Sequence, residues 1–335
     1  MNTFGENLKL TIFGESHGEA IGMVLDGFPA GESIDLDGIK AELERRAPGT
    51  SELSTPRVEA DEPVFLSGLF NGKSTGAPLC AIIKNTNTKS TDYHPEKPRP
   101  GHADLTAQIK YNGFSDFRGG GPFSGRLTAA MVIAGAICKQ ALEKKNISTQ
   151  AYIVRVGTAE RTKPDFDFEM RKEILDARAS GDSIGGVIEC TVSGLSAGLG
   201  GLMFGGMESR VASALFAIPG VKGVEFGLGF DIAKLRGSEA NDPIRLEDGR
   251  IFTETNNSGG INGGITNGMP LVVRCAFRPT PSISREQKTV DLLKQENTTL
   301  RVVGRHDPCI VPRAVPVVES MVAFCLMDAF CSEQE

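Results

Sequence analysis

Ser67-Gly68-Leu69-Phe70-Asn71-Gly72 and Ser258-Gly259-Gly260-Ile261-Asn262-Gly263 are two versions of one phrase. The first leads through Thr75-Gly76-Ala77-Pro78-Leu79 into the apolar run Cys80-Ala81-Ile82-Ile83. The second leads through Asn267-Gly268-Met269-Pro270-Leu271 into Val272-Val273-Arg274-Cys275, with one extra residue on the way. A fainter echo pairs Gly22-Met23-Val24-Leu25 with Gly186-Val187-Ile188-Glu189. Each of these runs into a small-residue turn (Pro29-Ala30-Gly31; Ser196-Ala197-Gly198) and then a helical pattern. The order strand, helix, glycine turn, strand therefore occurs twice. Repetition of a whole supersecondary unit predicts a duplicated α+β fold with a pseudo-twofold relation between its halves. Resemblance among unrelated glycine-rich turns is the plainer alternative.

Five helices are predicted, over 36–46, 124–145, 165–179, 204–217 and 314–330. The start and stop signals are acidic or Ser openings, with Gly, Pro or Lys at the ends. Strands are predicted at 8–13, 22–26, 79–84, 151–157, 186–192, 221–226 and 269–277, with short gaps that favour antiparallel pairing. Between them, 86–122 reads as a long polar Pro/Gly-rich connection, a kind of loop that usually carries function.

Bulk properties narrow the class. The 335 residues can bury a large core. A net charge of -6 supplies no global field for nucleic acid. Seven cysteines show no paired or metal-type spacing, so reduced thiols are expected. The most apolar stretch, 314–331, is interrupted by Pro316, Glu319 and Asp328. Neither a membrane span nor a metal site is expected.

Chemistry concentrates in a few loops. Three of the four histidines lie in Gly- or Pro-bounded segments: Gly14-Glu15-Ser16-His17-Gly18, Arg99-Pro100-Gly101-His102-Ala103-Asp104 and Gly304-Arg305-His306-Asp307-Pro308-Cys309. An imidazole held this way suits proton transfer near neutral pH. Arg45, Arg46, Arg57, Arg99, Arg118 and Arg126 crowd the first 130 residues and point to a small polyanion, against the alternative of solvated surface charge. Gly119-Gly120-Gly121-Pro122-Phe123-Ser124-Gly125-Arg126 opens a predicted helix and reads as an anion site or as a plain glycine hinge. Gly68 to Ser74 resembles a phosphate loop, but a strand follows it, so a structural turn is expected. His94 and Cys309 read as a surface residue and a packed thiol. Asp307 is an ion-pair member or a relay base.

Taken in order, these motifs resemble the chorismate synthase family over nearly the whole chain. Arg45-Arg46-Ala47-Pro48-Gly49-Thr50 and Arg278-Pro279-Thr280-Pro281-Ser282 add to the match. The resemblance implies helices sandwiched between antiparallel sheets, one domain over 1–335 with halves near 1–150 and 151–335, and a cytoplasmic homotetramer. It implies 5-enolpyruvylshikimate 3-phosphate as substrate, lost phosphate and chorismate as products, and reduced FMN as cofactor. An external flavin reductase is expected, and NADP is associated with the family. His17 would protonate the leaving phosphate, His102 would protonate or stabilise the flavin, and Asp307 would act with flavin N5 on the ring proton. Ser16, Arg46, Arg57, Arg99, Arg126 and Arg305 would hold substrate. Pro122, Phe123, Ser124, Pro219, Gly220, Gly263, Arg278, Pro279, Thr280, Pro281, Ser282 and Arg305 would contact flavin. Glu52 and Pro122 stand where arginine is frequent, which places phosphate contacts there in doubt. Two other classes remain: a phosphoryl-transfer enzyme using the Gly68–Ser74 turn, and a flavin- or phosphometabolite-binding protein without catalysis.

Overall fold

A computed structural model describes residues 1–49, 61–86, 94–302, 304 and 306–332. Two five-stranded antiparallel sheets share one order in four strands, while the remaining edge strand precedes its neighbour in the first sheet and follows it in the second. From one edge, the first runs Thr3–Phe4, Lys9–Gly14, Ala20–Asp26, Leu79–Lys84, Val64–Ser67. The second runs Ala159–Glu160, Ser148–Val156, Gly186–Ser193, Leu271–Phe277, Val221–Phe226. The strands predicted from the repeat occupy matching places. Leu79–Lys84 pairs with Ala20–Asp26, as Leu271–Phe277 pairs with Gly186–Ser193.

The repeated phrase itself is a hairpin in both halves. Leu69–Phe70 turns back on Lys73–Ser74, and Ile261–Asn262 turns back on Ile265–Asn267. Asn71 and Gly72 sit at φ 48° and 72°, and Gly263 and Gly264 at 61° and 87°. That left-handed pair is what a tight hairpin demands, and Asn and Gly tolerate it. The phosphate-loop resemblance of Gly68–Ser74 is thus turn chemistry, as expected.

Helices fill the space between the sheets. Thr128–Glu143 and Val311–Ser332 pack on each other and on strands of both halves, flanked by Leu36–Arg46 and Met207–Phe216. Thr128–Glu143 is apolar nearly all round, as a helix buried on all sides must be. Where the two central helices meet, a Cβ on Gly135 would stand 2.3 Å from the Ser320 Cα. Only glycine permits that approach. Val311–Ser332 is long and apolar enough to span a bilayer, yet it is mostly buried inside the fold.

Some predicted boundaries move. The helix expected over 124–145 begins at Thr128, because Arg118–Phe123 and Gly125–Leu127 are short 3-10 turns. Ser124 caps the second turn, accepting from the Arg126 amide at 3.3 Å. The last helix runs Val311–Ser332 rather than 314–330, and the one expected over 204–217 is Met207–Phe216 after a 3-10 turn. The 86–122 connection contains a seven-residue helix, Asp104–Lys110.

The two polar interruptions of the last helix are joints. Asp328 accepts from the amides of Asn7 and Leu8 at 2.8 Å, fastening the N-terminal segment. Glu319 accepts from Arg45 (2.7 and 3.0 Å), Lys139 (2.9 Å) and the Ala151 amide (2.9 Å). Burial alone would raise the Glu319 pKa. The Arg45 and Lys139 contacts and the Ala151 amide outweigh it and hold the carboxyl below its ordinary value. A depressed carboxylate adds stability above its unfolded pKa and loses it as pH falls through the folded one. Glu319→Gln is therefore expected to weaken the acid-side dependence of unfolding. Removing one member of a buried ion cluster costs about 3–5 kcal/mol, and the low end applies because Arg45 is 42% exposed. Denaturant unfolding at neutral and acid pH checks this; equal stability at neutral pH contradicts it.

Candidate active site

The two halves meet over a cleft of about 1000 Å³. The first half lines it with Ser16, His17, Arg46, Arg99, His102, Pro122 to Arg126 and Thr128. The second half brings Phe216 to Lys222, Phe277 to Ser282, Gly304, His306, Asp307, Ile310 and Arg313. The volume lies at the upper end of ordinary ligand pockets.

The triple glycine organises the first wall. Gly119, Gly120 and Gly121 have φ of 62°, 88° and 51°. A Cβ on Gly119 would meet the His17 ring at 2.5 Å and Ser16 Oγ at 2.6 Å. One on Gly120 would meet His102 Nε2 at 3.0 Å. Successive glycines therefore seat the two imidazoles on one turn. The Ser16 amide donates to Gly121 O at 3.1 Å. Asn85 Nδ2 donates to Glu15 O (3.0 Å) and Gly18 O (2.9 Å), closing the loop around His17. The segment expected to open the helix is instead a left-handed turn followed by a short 3-10 turn, and the helix starts at Thr128.

His102 belongs to a dense cluster. Its Nδ1 lies 2.6 Å from Asp104 Oδ1. Arg99 donates to Asp104 through its backbone amide (3.0 Å), Nε (2.7 Å) and Nη2 (2.8 Å). Arg99 Nη1 crosses to Ser282 Oγ of the second half at 3.1 Å. Burial alone would raise the Asp104 pKa. Hydrogen bonds and charge from Arg99 and His102 prevail and hold it far below the usual carboxylate range.

Arg46 and Arg126 share one counter-ion. Asp61 accepts from Arg46 Nη1 at 2.9 Å and from Arg126 Nη1. Arg46 also donates to Thr128 Oγ1 and Gly125 O, both at 3.0 Å, and Arg126 Nε reaches Asn85 Oδ1 at 3.1 Å. These arginines are set into the wall. On the other side Asp307 pairs with Arg313, and Thr280 Oγ1 donates to the Asp307 carbonyl at 2.9 Å. Arg313 Nε in turn donates to Arg46 O at 3.1 Å, tying the halves together.

Of the residues singled out in the sequence, His17, His102, Asp307, Ser16, Arg46, Arg99 and Arg126 line this cleft. So do Pro122 to Ser124, Pro219, Gly220 and Arg278 to Ser282. Gly263 does not: it occupies a hairpin turn and is absent from the lining. Arg57, Arg305 and Glu52 lie outside the described residues. Sequence reasoning left Lys222, Phe216, Asp61 and Asn85 unassigned. Asp61 has no motif around it, and Lys222 looks like any strand-edge lysine. His94 pairs with Glu96 at the surface, and burial raises the Cys309 thiol to about 12, matching an inert packed side chain.

The imidazoles of His17, His102 and His306 and the Asp307 carboxylate, drawn from both halves, line one basic cleft, an arrangement able to move protons on a small polyanion. The family model for chorismate synthase matches residues 8–331. A chorismate synthase of Thermococcus gammatolerans is 51% identical, covering 97% of this chain and 96% of that one. One of Thermococcus kodakarensis is 50% identical over the same shares. A crystal structure of chorismate synthase superposes with a TM-score of 0.76 at 29% identity, covering 98% of this chain and 93% of the other. The chain belongs to the chorismate synthase family, and is an enzyme of the lyase class.

Proposed function

We propose that the cleft converts 5-enolpyruvylshikimate 3-phosphate to chorismate by anti-1,4-elimination of phosphate and a ring hydrogen, with reduced FMN bound beside the substrate. The convergence of acid–base residues from both halves on one cleft carries this reading. A substrate with one phosphate and two carboxylates matches Arg46, Arg99, Arg126, Lys222, Arg278 and Arg313 around it, since guanidinium groups pair with such anions.

The cleft also suits a flavin. Its volume exceeds what one small phosphorylated acid needs. Phe123, Pro219-Gly220 and Pro279-Thr280-Pro281 supply flat and apolar surface, and Arg278 and Ser282 supply polar edges. Pro122 to Ser124, Pro219, Gly220 and Arg278 to Ser282 would hold it. Bound there, reduced FMN supplies electron density to the elimination with no net redox change. The chain's own residues handle the protons. His17 gives one to the departing phosphate oxygen, Asp307 takes the ring proton, and His102 holds one at the flavin side of the cleft. Electrons of the broken C–H bond form one double bond of the ring diene, those of the existing ring double bond shift to form the other, and those of the C–O bond leave with phosphate. Arg57 and Arg305 belong to the same proposal as anion-holding residues. So do a single domain over the chain, a cytoplasmic homotetramer and an external flavin reductase.

An anaerobic assay with reduced FMN and substrate, followed at the chorismate absorbance, tests the reading. Chorismate is expected to accumulate while the flavin stays reduced. Folded protein that binds both ligands and forms none overturns it.

A further inference from the structure

We propose that Asp104 is the positioning residue that sets the working tautomer of His102, holding the proton on Nδ1 and leaving Nε2 as the ring's acceptor. This rests on the acid–base role given to His102 above.

The argument is one of hydrogen-bond capacity. An ionised carboxylate only accepts. Asp104 Oδ1 lies 2.6 Å from His102 Nδ1, so in the neutral ring Nδ1 is the donor and Nε2 is left without hydrogen. Arg99 fixes the carboxylate with three donors, its backbone amide and Nε on Oδ2 and its Nη2 on Oδ1. These contacts keep Asp104 charged over the whole range where imidazole titrates. Arg99 Nη2, a donor, lies 3.1 Å from Nδ1 and 3.4 Å from Nε2 and also donates to Asp104 Oδ1 at 2.8 Å; the shorter 2.6 Å contact of Nδ1 with the carboxylate decides the assignment. From the second half, Arg278 donates to Gly101 O, next to His102. Neither cation offers an acceptor that could draw the ring proton to Nε2. The Nε2 edge faces Gly120, the position a Cβ would close to 3.0 Å. Asp104 thus fixes two groups of the cleft with one carboxylate: the ring of His102 and the fork of Arg99.

Asp104→Asn separates this from a merely structural role. Arg99 places two donors on Oδ2 against one on Oδ1, so the amide oxygen takes the Oδ2 place and the NH2 faces His102. Nδ1 must then accept, and the proton moves to Nε2. The chain has four histidines, so 15N-labelled ring signals are few, and His102→Gln identifies the one of interest. In ligand-free protein, at a pH where the ring is neutral, wild type is expected to show Nδ1–H and Asp104→Asn to show Nε2–H. Melting is expected to fall in Asp104→Asn, because the carboxylate pairs with the buried Arg99, so the tautomer and not the stability is the deciding readout. Turnover of Asp104→Asn at saturating ligands should fall at least about tenfold, since a misplaced proton disables an acid–base group. The Nε2–H form in wild type, or one tautomer in both proteins, overturns the proposal. So does a switched tautomer with unchanged turnover. If Asp104→Asn does not fold, the wild-type spectrum decides alone. Failure of wild type to form chorismate would strike the functional reading and leave the tautomer result standing.

Discussion

Replacing His17 with alanine is expected to lower turnover by about 10²–10⁴-fold at saturating substrate, the usual worth of a general acid, while leaving melting and assembly unchanged. The fold explains why the two effects separate. His17 lies in the turn between the Lys9–Gly14 and Ala20–Asp26 strands. That turn is held by its backbone: the Ser16 amide on Gly121 O, and Asn85 Nδ2 on Glu15 O and Gly18 O. The ring rests on Gly119 at the cleft wall, outside the apolar core between the sheets. Deleting it therefore removes a proton donor without opening a core cavity, the change that costs most stability. Steady-state turnover with a thermal melt checks this. A large drop in melting temperature would make His17 structural, and turnover near wild type would move the acid role elsewhere.

What was legible in the sequence follows from what sequence encodes locally. The duplication was legible because both hairpins need the same turn chemistry, Asn-Gly in one half and Gly-Gly in the other. The histidine loops were legible because glycine and proline bound them. The Asp104–Lys110 helix was not, since seven residues opened by a Gly-His-Ala turn carry too little periodicity. The triple glycine announced a special backbone but not its purpose. That it seats His17 and His102 depends on the Gly14–Gly18 loop, a hundred residues away. Nor could sequence separate arginines anchored in the wall from those reaching across it. Arg46 and Arg126 meet at Asp61, a pairing made only by the fold. Gly263 shows the converse. The family resemblance named it a flavin contact, and the structure gives it a hairpin turn outside the cleft lining.

Asp307→Asn is the sharpest test of how the ring proton leaves. The asparagine keeps an oxygen for Arg313 and keeps the side-chain shape, but it cannot take up a proton. Its backbone stays anchored, because Thr280 Oγ1 holds the Asp307 carbonyl whatever the side chain does. If Asp307 is the base, substrate and reduced FMN should bind nearly as before, and turnover should fall by about 10²–10⁴-fold. If Asp307 serves only to neutralise Arg313, the outcome differs in kind. Arg313 would lose its charged partner while Arg46 O still accepts from its Nε. An unbalanced cation at the wall would then change ligand affinity, and saturating ligand would restore the rate. Binding titrations and saturated turnover thus distinguish loss of a base from loss of an ion pair. Near-normal saturated turnover removes Asp307 from the proton path. A collapse with binding intact assigns it the proton, because the amide differs from the carboxylate in charge and basicity and in little else.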